Sequence, residues 1–214
     1  MKKWKNCWGL ILVVMLLVMP FRAPSSADKT FVALGITWHV VDDPSPSAPS
    51  DWAVTTNEAK EEVIVQRSNI YRTDREYEFW QGTHIWGGSG QGVSDNSWVT
   101  DLRSDDDDGW GAIIRYQDEN NYYRFITVQD GSNGGPFRRL EKFVKGVRTV
   151  LDEKKEGFVP GRVYALKMSA SKDQIRVYLD KELILSATDS TFSKGLMGLL
   201  TYADSGFSAW HLSR

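Results

Sequence analysis

The chain has a period of two through most of its length. Its middle sets the rhythm: Ser97 to Val128 reads SWVTDLRSDDDDGWGAIIRYQDENNYYRFITV. Trp98, Thr100 and Leu102 lead into a corner made by Asp105, Asp106, Asp107 and Asp108. Ala112 to Tyr116 (AIIRY) and Tyr122 to Val128 (YYRFITV) are β-branched and aromatic, the composition of strands. Gln117 to Asn121 (QDENN) between them has the Asp/Asn chemistry of a hairpin loop. The same pattern continues downstream. Phe137 to Val144 and Val147 to Leu151 flank Lys145-Gly146, a strong hairpin signal. Arg162 to Ala170 alternates, and Gln174 to Leu179 places Ile175, Val177 and Leu179 on one face. Glu182 to Ala187, Gly195 to Tyr202 and Phe207 to Leu212 complete that half.

Upstream, Phe31 to Val41 reads as one strand, with Trp38 and Val40 on one face. A Pro/Ser-rich loop (Asp42 to Ser50) follows, then a short hairpin from Asp51 to Val54 and Val63 to Gln66. Gly82 to Asn96 is glycine-rich and reads as a surface loop or as short edge strands. About twelve strands, turn signals every eight to twelve residues and no apolar helical stripe predict an all-β, antiparallel two-sheet sandwich.

The first residues follow another pattern. Lys2, Lys3 and Lys5 precede a short apolar run, Leu10 to Met19, which is too short to span a bilayer. Pro20 breaks the run, and Ser25-Ser26-Ala27 supplies small residues for cleavage. Residues 1–27 are therefore expected to be a signal peptide, with an uncleaved N-terminal anchor as the alternative, and 28–214 one exported domain, secreted or held in the periplasm or cell envelope. No later apolar run suggests a membrane span. Cys7 falls in the leader, so the expected domain has no thiol and no disulfide.

Charge then excludes one class of partner. The chain carries 26 basic and 28 acidic residues. Removing Lys2, Lys3, Lys5 and Arg22 leaves a domain of net charge −6, a poor match for nucleic acid.

The second half, from Trp98 to Leu212, resembles concanavalin A-like jelly-roll domains, and within them the LamG-like and thrombospondin C-terminal-like modules of secreted bacterial proteins. The carrying pieces are RSDDDDGWGAIIRYQDENNYYRF, RRLEKFVKGVRTVL, GRVYAL, QIRVYLDKELILSATD and GLMGLLTYADSGFSAW, in that order. The resemblance implies a jelly-roll sandwich that binds carbohydrate or an extracellular protein partner and often carries calcium. Relatives usually end in a pattern like F-D-D/N-V-x-V. Here Phe207-Ser208-Ala209-Trp210 offers no carboxylate at the corresponding place.

Candidate chemistry follows from residue type. Calcium takes six to eight oxygen ligands. In an extended chain neighbouring side chains alternate, so Asp105 and Asp107 make one pair that could share an ion, and Asp106 and Asp108 the other; a solvated acidic turn is the alternative. Sugar rings stack on aromatic faces while polar groups bond their hydroxyls. The candidates are Trp86, Trp110, Arg115, Tyr116, Tyr123 and Arg124, with Trp80 beside them. The alternative places Trp110 and Tyr123 in the core and the arginines at the surface.

Catalysis has little support. The E-x-D-x-x-E string of retaining glycosidases of this fold is missing, and Glu76 and Glu78 are the nearest paired acids. His39, His84 and His211 lack metal-binding spacing. There is no G-x-S-x-G elbow, and Gly87 to Gly92 lacks the Lys-Ser/Thr of a phosphate loop. The sequence reads as a non-catalytic lectin-like module. A glycoside-active enzyme and a protein-interaction or structural module stand as alternatives.

Overall fold

The computed structural model describes residues 29–74, 80–88 and 92–213. The described residues form fifteen strands and no helix: β1 (Thr30–Ala33), β2 (Ile36–Asp42), β3 (Trp52–Thr56), β4 (Glu62–Gln66), β5 (Thr83–Gly87), β6 (Asn96–Ser104), β7 (Gly109–Asp118), β8 (Asn121–Val128), β9 (Phe137–Val144), β10 (Val147–Lys154), β11 (Val163–Ser171), β12 (Gln174–Leu179), β13 (Glu182–Thr188), β14 (Leu196–Tyr202) and β15 (Phe207–Ser213). One sheet runs β1-β2-β5-β14-β7-β8-β9-β10, the other β13-β12-β11-β6-β15-β4-β3. Every pairing is antiparallel. The all-β, two-sheet expectation is met.

The inner faces of the two sheets make the core. Trp38, Trp110, Ile114, Tyr123, Phe125, Leu140 and Leu199 come from one sheet. Trp98, Leu102, Leu166, Met168, Ile175, Val177 and Phe207 answer from the other. Each fully buried aliphatic or aromatic side chain of this size contributes roughly 1.5–3 kcal/mol.

Two local departures from the sequence reading have clear causes. The single strand expected over Phe31 to Val41 is a hairpin. Leu34 and Gly35 take φ of 53° and 72°, and Ala33 pairs with Ile36, so a two-residue turn reverses the chain. The glycine-rich stretch contains a true strand, β5, inserted between β2 and β14.

Arg115 marks a third departure. It has φ of 52°, at an irregularity where β7 slips its register against both β8 and β14. Its guanidinium is fully buried. Nη1 donates to the Phe192 carbonyl at 2.7 Å, and Nη2 to those of Lys172 at 2.6 Å and Ser94 at 3.1 Å. One cation thus ties three loops to the end of the sheet. Arg115→Met is expected to cost about 3 kcal/mol, because three loop carbonyls lose a charged, buried donor. Urea unfolding measures it, and a loss below about 1 kcal/mol would show that the loops hold without Arg115.

Candidate functional site

Strands β7 and β8 are buried on both faces. The second face looks away from the core and carries its own apolar cluster: Trp80, Ile113, Tyr116, Tyr122, Ile126, Phe137, Phe143 and Leu200, among others. Part of its cover is the chain between β4 and β5. The Ala203 amide donates to the Ile70 carbonyl at 2.8 Å, the Asp43 amide to that of Gly82 at 2.9 Å, and Trp80 Nε1 to that of Asn133 at 2.9 Å.

Strand order on this face assembles a row of rings. His39 of β2 stacks on Trp86 of β5, centroids 3.9 Å apart and 5° from parallel. Trp86 stacks with Tyr116 of β7 at 5.6 Å, Tyr116 with Tyr122 of β8 at 6.0 Å, and Tyr122 with Phe143 of β9 at 4.8 Å. Gly198 of β14 lies opposite Trp86 and puts no side chain between Trp86 and Tyr116. Tyr116, Tyr122 and Phe143 are buried; Trp86 and His39 are partly exposed. The row therefore opens to solvent at its β2/β5 end.

Beside the row lies a buried charged group. Arg124 Nε is 2.6 Å from Glu141 Oε2, both side chains dry, and Arg148 reaches Glu141 Oε1 at 2.9 Å. Arg124 Nη1 also donates to the Trp80 carbonyl at 3.1 Å, and its guanidinium lies 4.7 Å from the Phe143 ring centre. His84 Nδ1 is 3.8 Å from Asp43 Oδ1. Burial holds the Asp43 carboxyl up at about 7, against the downward pull of the Arg124 charge. Burial pushes His84 down to about 4, and the Arg124 charge adds to that.

The two shifts act on stability in opposite directions. His84 is depressed, so its contribution is present above the unfolded value near 6.5 and is lost as pH falls from there to about 4. Asp43 is raised, so its contribution is present below 3.8 and is lost as pH rises from there to about 7. The His84 ring resonances are expected to titrate with a midpoint near 4 by NMR. A midpoint at 6.5 would contradict the burial described.

Alongside the middle of the row, a hollow of about 660 Å³ joins Trp86 and Tyr116 to the β7–β8 turn and Lys145. Tyr116, at 6% exposed, backs Trp86 more than it offers its own face. The rim is Gln117, Asp118, Glu119, Asn120 and Asn121. The Asp118 carboxylate accepts from the Asn120 amide and from Asn121 Nδ2, both at 2.8 Å, and Asn121 Oδ1 accepts from the Lys145 amide at 2.9 Å. These bonds fix the turn. The result is a partly exposed aromatic edge, held between His39 and Tyr116, bordered by turn amides and carboxylates that can bond hydroxyl groups.

A second cluster lies at the opposite end of β7, in the corner after β6. Oxygens of Asp106, Asp107 and Asp108 come within 4.8 Å of one another. Asp105 turns away and pairs with Arg103 at 2.7 Å. The corner is a tight bend and not an extended strand, so consecutive side chains converge instead of alternating. Of the two expected pairs, Asp106 and Asp108 converge, together with Asp107, while Asp105 does not join them. Burial, then the Asp106 charge, raises Asp108 to about 6; burial raises Asp204 behind it to about 8.

The sequence-derived candidates separate accordingly. Trp86 and Tyr116 meet at the hollow. Arg124 lies on the same face but is buried in its ion pair. Trp110 and Tyr123 belong to the inter-sheet core, and the Tyr123 hydroxyl donates to Asp189 at 2.5 Å. Arg115, a sequence candidate for ligand contact, is turned into the loops by the β7 irregularity. Glu76 and Glu78 lie outside the described residues, as does the leader. Three residues escaped the sequence reading as site groups: His39, which extends the stack, Glu141, which neutralises Arg124, and Asp204. Nothing local marks them, since each gains its role from strand order or from a loop return.

This arrangement defines a concanavalin A-like jelly-roll sandwich, and the solved structures agree. The carbohydrate-binding module CBM66 from Bacillus subtilis superposes with a TM-score of 0.55 at 19% identity, over 78% of this chain and 93% of that one. The Bacillus licheniformis β-glucanase superposes with a TM-score of 0.53 at 11% identity, over 87% and 97%. At these identities the likeness is one of fold. In sequence, 58 residues are 40% identical to levanase of Bacillus subtilis (strain 168), covering 27% of this chain and only 9% of the levanase. No protein-family model matches the chain. Among the described residues no helix is long and apolar enough to cross a membrane.

Proposed function

We propose that the protein is an exported, non-catalytic carbohydrate-binding module that takes a sugar at the Trp86 hollow. One observation carries this: Trp86, a partly exposed ring held between His39 and Tyr116 in a five-ring stack, opens beside a turn held by its own hydrogen bonds. A rigid platform loses little entropy on binding. The names of the similar proteins, a carbohydrate-binding module and two polysaccharide-degrading enzymes, favour the same ligand class. Export is supported by the basic, apolar and small-residue order of residues 1–27. The acid-rich corner supports a calcium ion as part of this reading.

The test is retention of the protein by immobilised or gel-embedded polysaccharides, with levan and β-glucan first in the panel. Trp86→Ala is expected to weaken retention about tenfold or more, equivalent to about 1.4 kcal/mol, without lowering the melting temperature by more than a few degrees. Trp210→Ala, in a groove of about 530 Å³ on the other sheet, is expected to leave retention unchanged. Equal retention of Trp86→Ala and wild type would overturn the assignment. Release of reducing sugar from the polysaccharide would move the protein to the glycoside-active class.

A further inference from the structure

We infer that His39 forms a second sugar subsite, next to the Trp86 hollow, so that the site takes successive residues of a polysaccharide chain and not one sugar alone. This rests on the sugar binding proposed at Trp86 and adds a residue which that proposal does not use.

A sugar ring stacks on an open aromatic face, and a face already covered by another ring is closed to it. Trp86 has ring neighbours on both sides, His39 at 3.9 Å and Tyr116 at 5.6 Å between centroids, and so offers its edge. Tyr116 and Tyr122 are likewise interior to the row. Only its two ends can present a free face. One end is Phe143, 1% exposed, with the Arg124 guanidinium 4.7 Å from its ring centre. The other end is His39, which is partly exposed.

Strand order keeps the outer face of His39 clear. His39 stands opposite Trp86 of β5 on one side and Thr30 of β1 on the other. Phe31 and Ala33 of β1 pack into the inter-sheet core, so Thr30 and Val32 alternate to the face that His39 shares. Thr30 is exposed and has no ring to lay over the imidazole. Val32, 68% exposed, lies opposite the exposed Thr37. Among the described residues no hydrogen bond and no second ring engages the His39 side chain, which leaves its ring nitrogens for hydroxyl groups.

This shelf continues the hollow. The antiparallel order β1-β2-β5-β14-β7-β8 puts the β1–β2 turn and the β7–β8 turn at the same end of the sheet. A chain with one residue against the Trp86 edge and the amide rim lays its neighbour on His39. β1 is the margin of the sheet, so the chain can run on past it.

The experiment is calorimetric titration of the whole protein with a size-graded ladder of oligosaccharides, from the monosaccharide upwards, cut from the retained polysaccharide, levan and β-glucan first. Wild-type affinity is expected to rise about tenfold or more once the oligosaccharide is long enough to cover His39. His39→Ala is expected to lose that gain while binding the monosaccharide as wild type does, and His39→Phe to keep the gain to within about threefold. Should His39→Ala melt well below wild type, His39→Leu takes its place, with bulk but no stacking ring. A full gain with length in the variant without the ring, or no gain with length in wild type, would overturn the inference and leave the Trp86 assignment standing. Retention of no polysaccharide, or retention untouched by Trp86→Ala, would overturn the Trp86 assignment and the inference with it.

Discussion

The structure depends on two central strands that water does not reach from either side. β7 and β8 bury successive residues regardless of which face they point to. In an ordinary sandwich the outer half of each strand would be polar. Here the outward half is Ile113, Tyr116, Tyr122 and Ile126, and it demands cover. The chain between β4 and β5 supplies part of that cover, and Trp80 closes it over the Arg124–Glu141 pair. The ring row, the buried ions and the open hollow are all consequences of a sheet that is apolar on both sides.

Buried charge in that outer layer is poor evidence for stability, because desolvating two ions offsets most of their attraction. Its value is geometric. Arg124 bonds at once to Glu141 and to a backbone carbonyl of the covering segment, and it lies against Phe143. It therefore fixes the layer of rings against the segment above. The exposed end of the row inherits that order, which gives a surface tryptophan a defined position.

The fold was legible because period-two alternation survives wherever one face meets the inter-sheet core, as in Gln174 to Leu179 and Val163 to Ser171. It failed where backbone conformation overrode the pattern. Leu34 adopts positive φ and turns what reads as one strand into a hairpin. Arg115 does the same inside β7, and its side chain leaves the face shared with Arg124. The site was half legible. Trp86 and Tyr116 were legible as aromatic candidates for stacking on a sugar ring. Their stacking was not readable, because it requires β5 and β7 to flank β14, a strand some eighty residues further on. The acidic corner was visible as a run. Which acids converge depended on a bend that extended-chain alternation does not describe.

The central claim is that the outer, doubly buried layer presents one usable platform, at Trp86. The most direct measurement is an NMR titration of the tryptophan indole N–H resonances with a polysaccharide fragment that the protein retains. The account predicts a saturable shift of the Trp86 resonance, with Trp98 and Trp110 of the core and Trp210 of the opposite sheet unmoved. Shifts at Trp210 with none at Trp86 would contradict it.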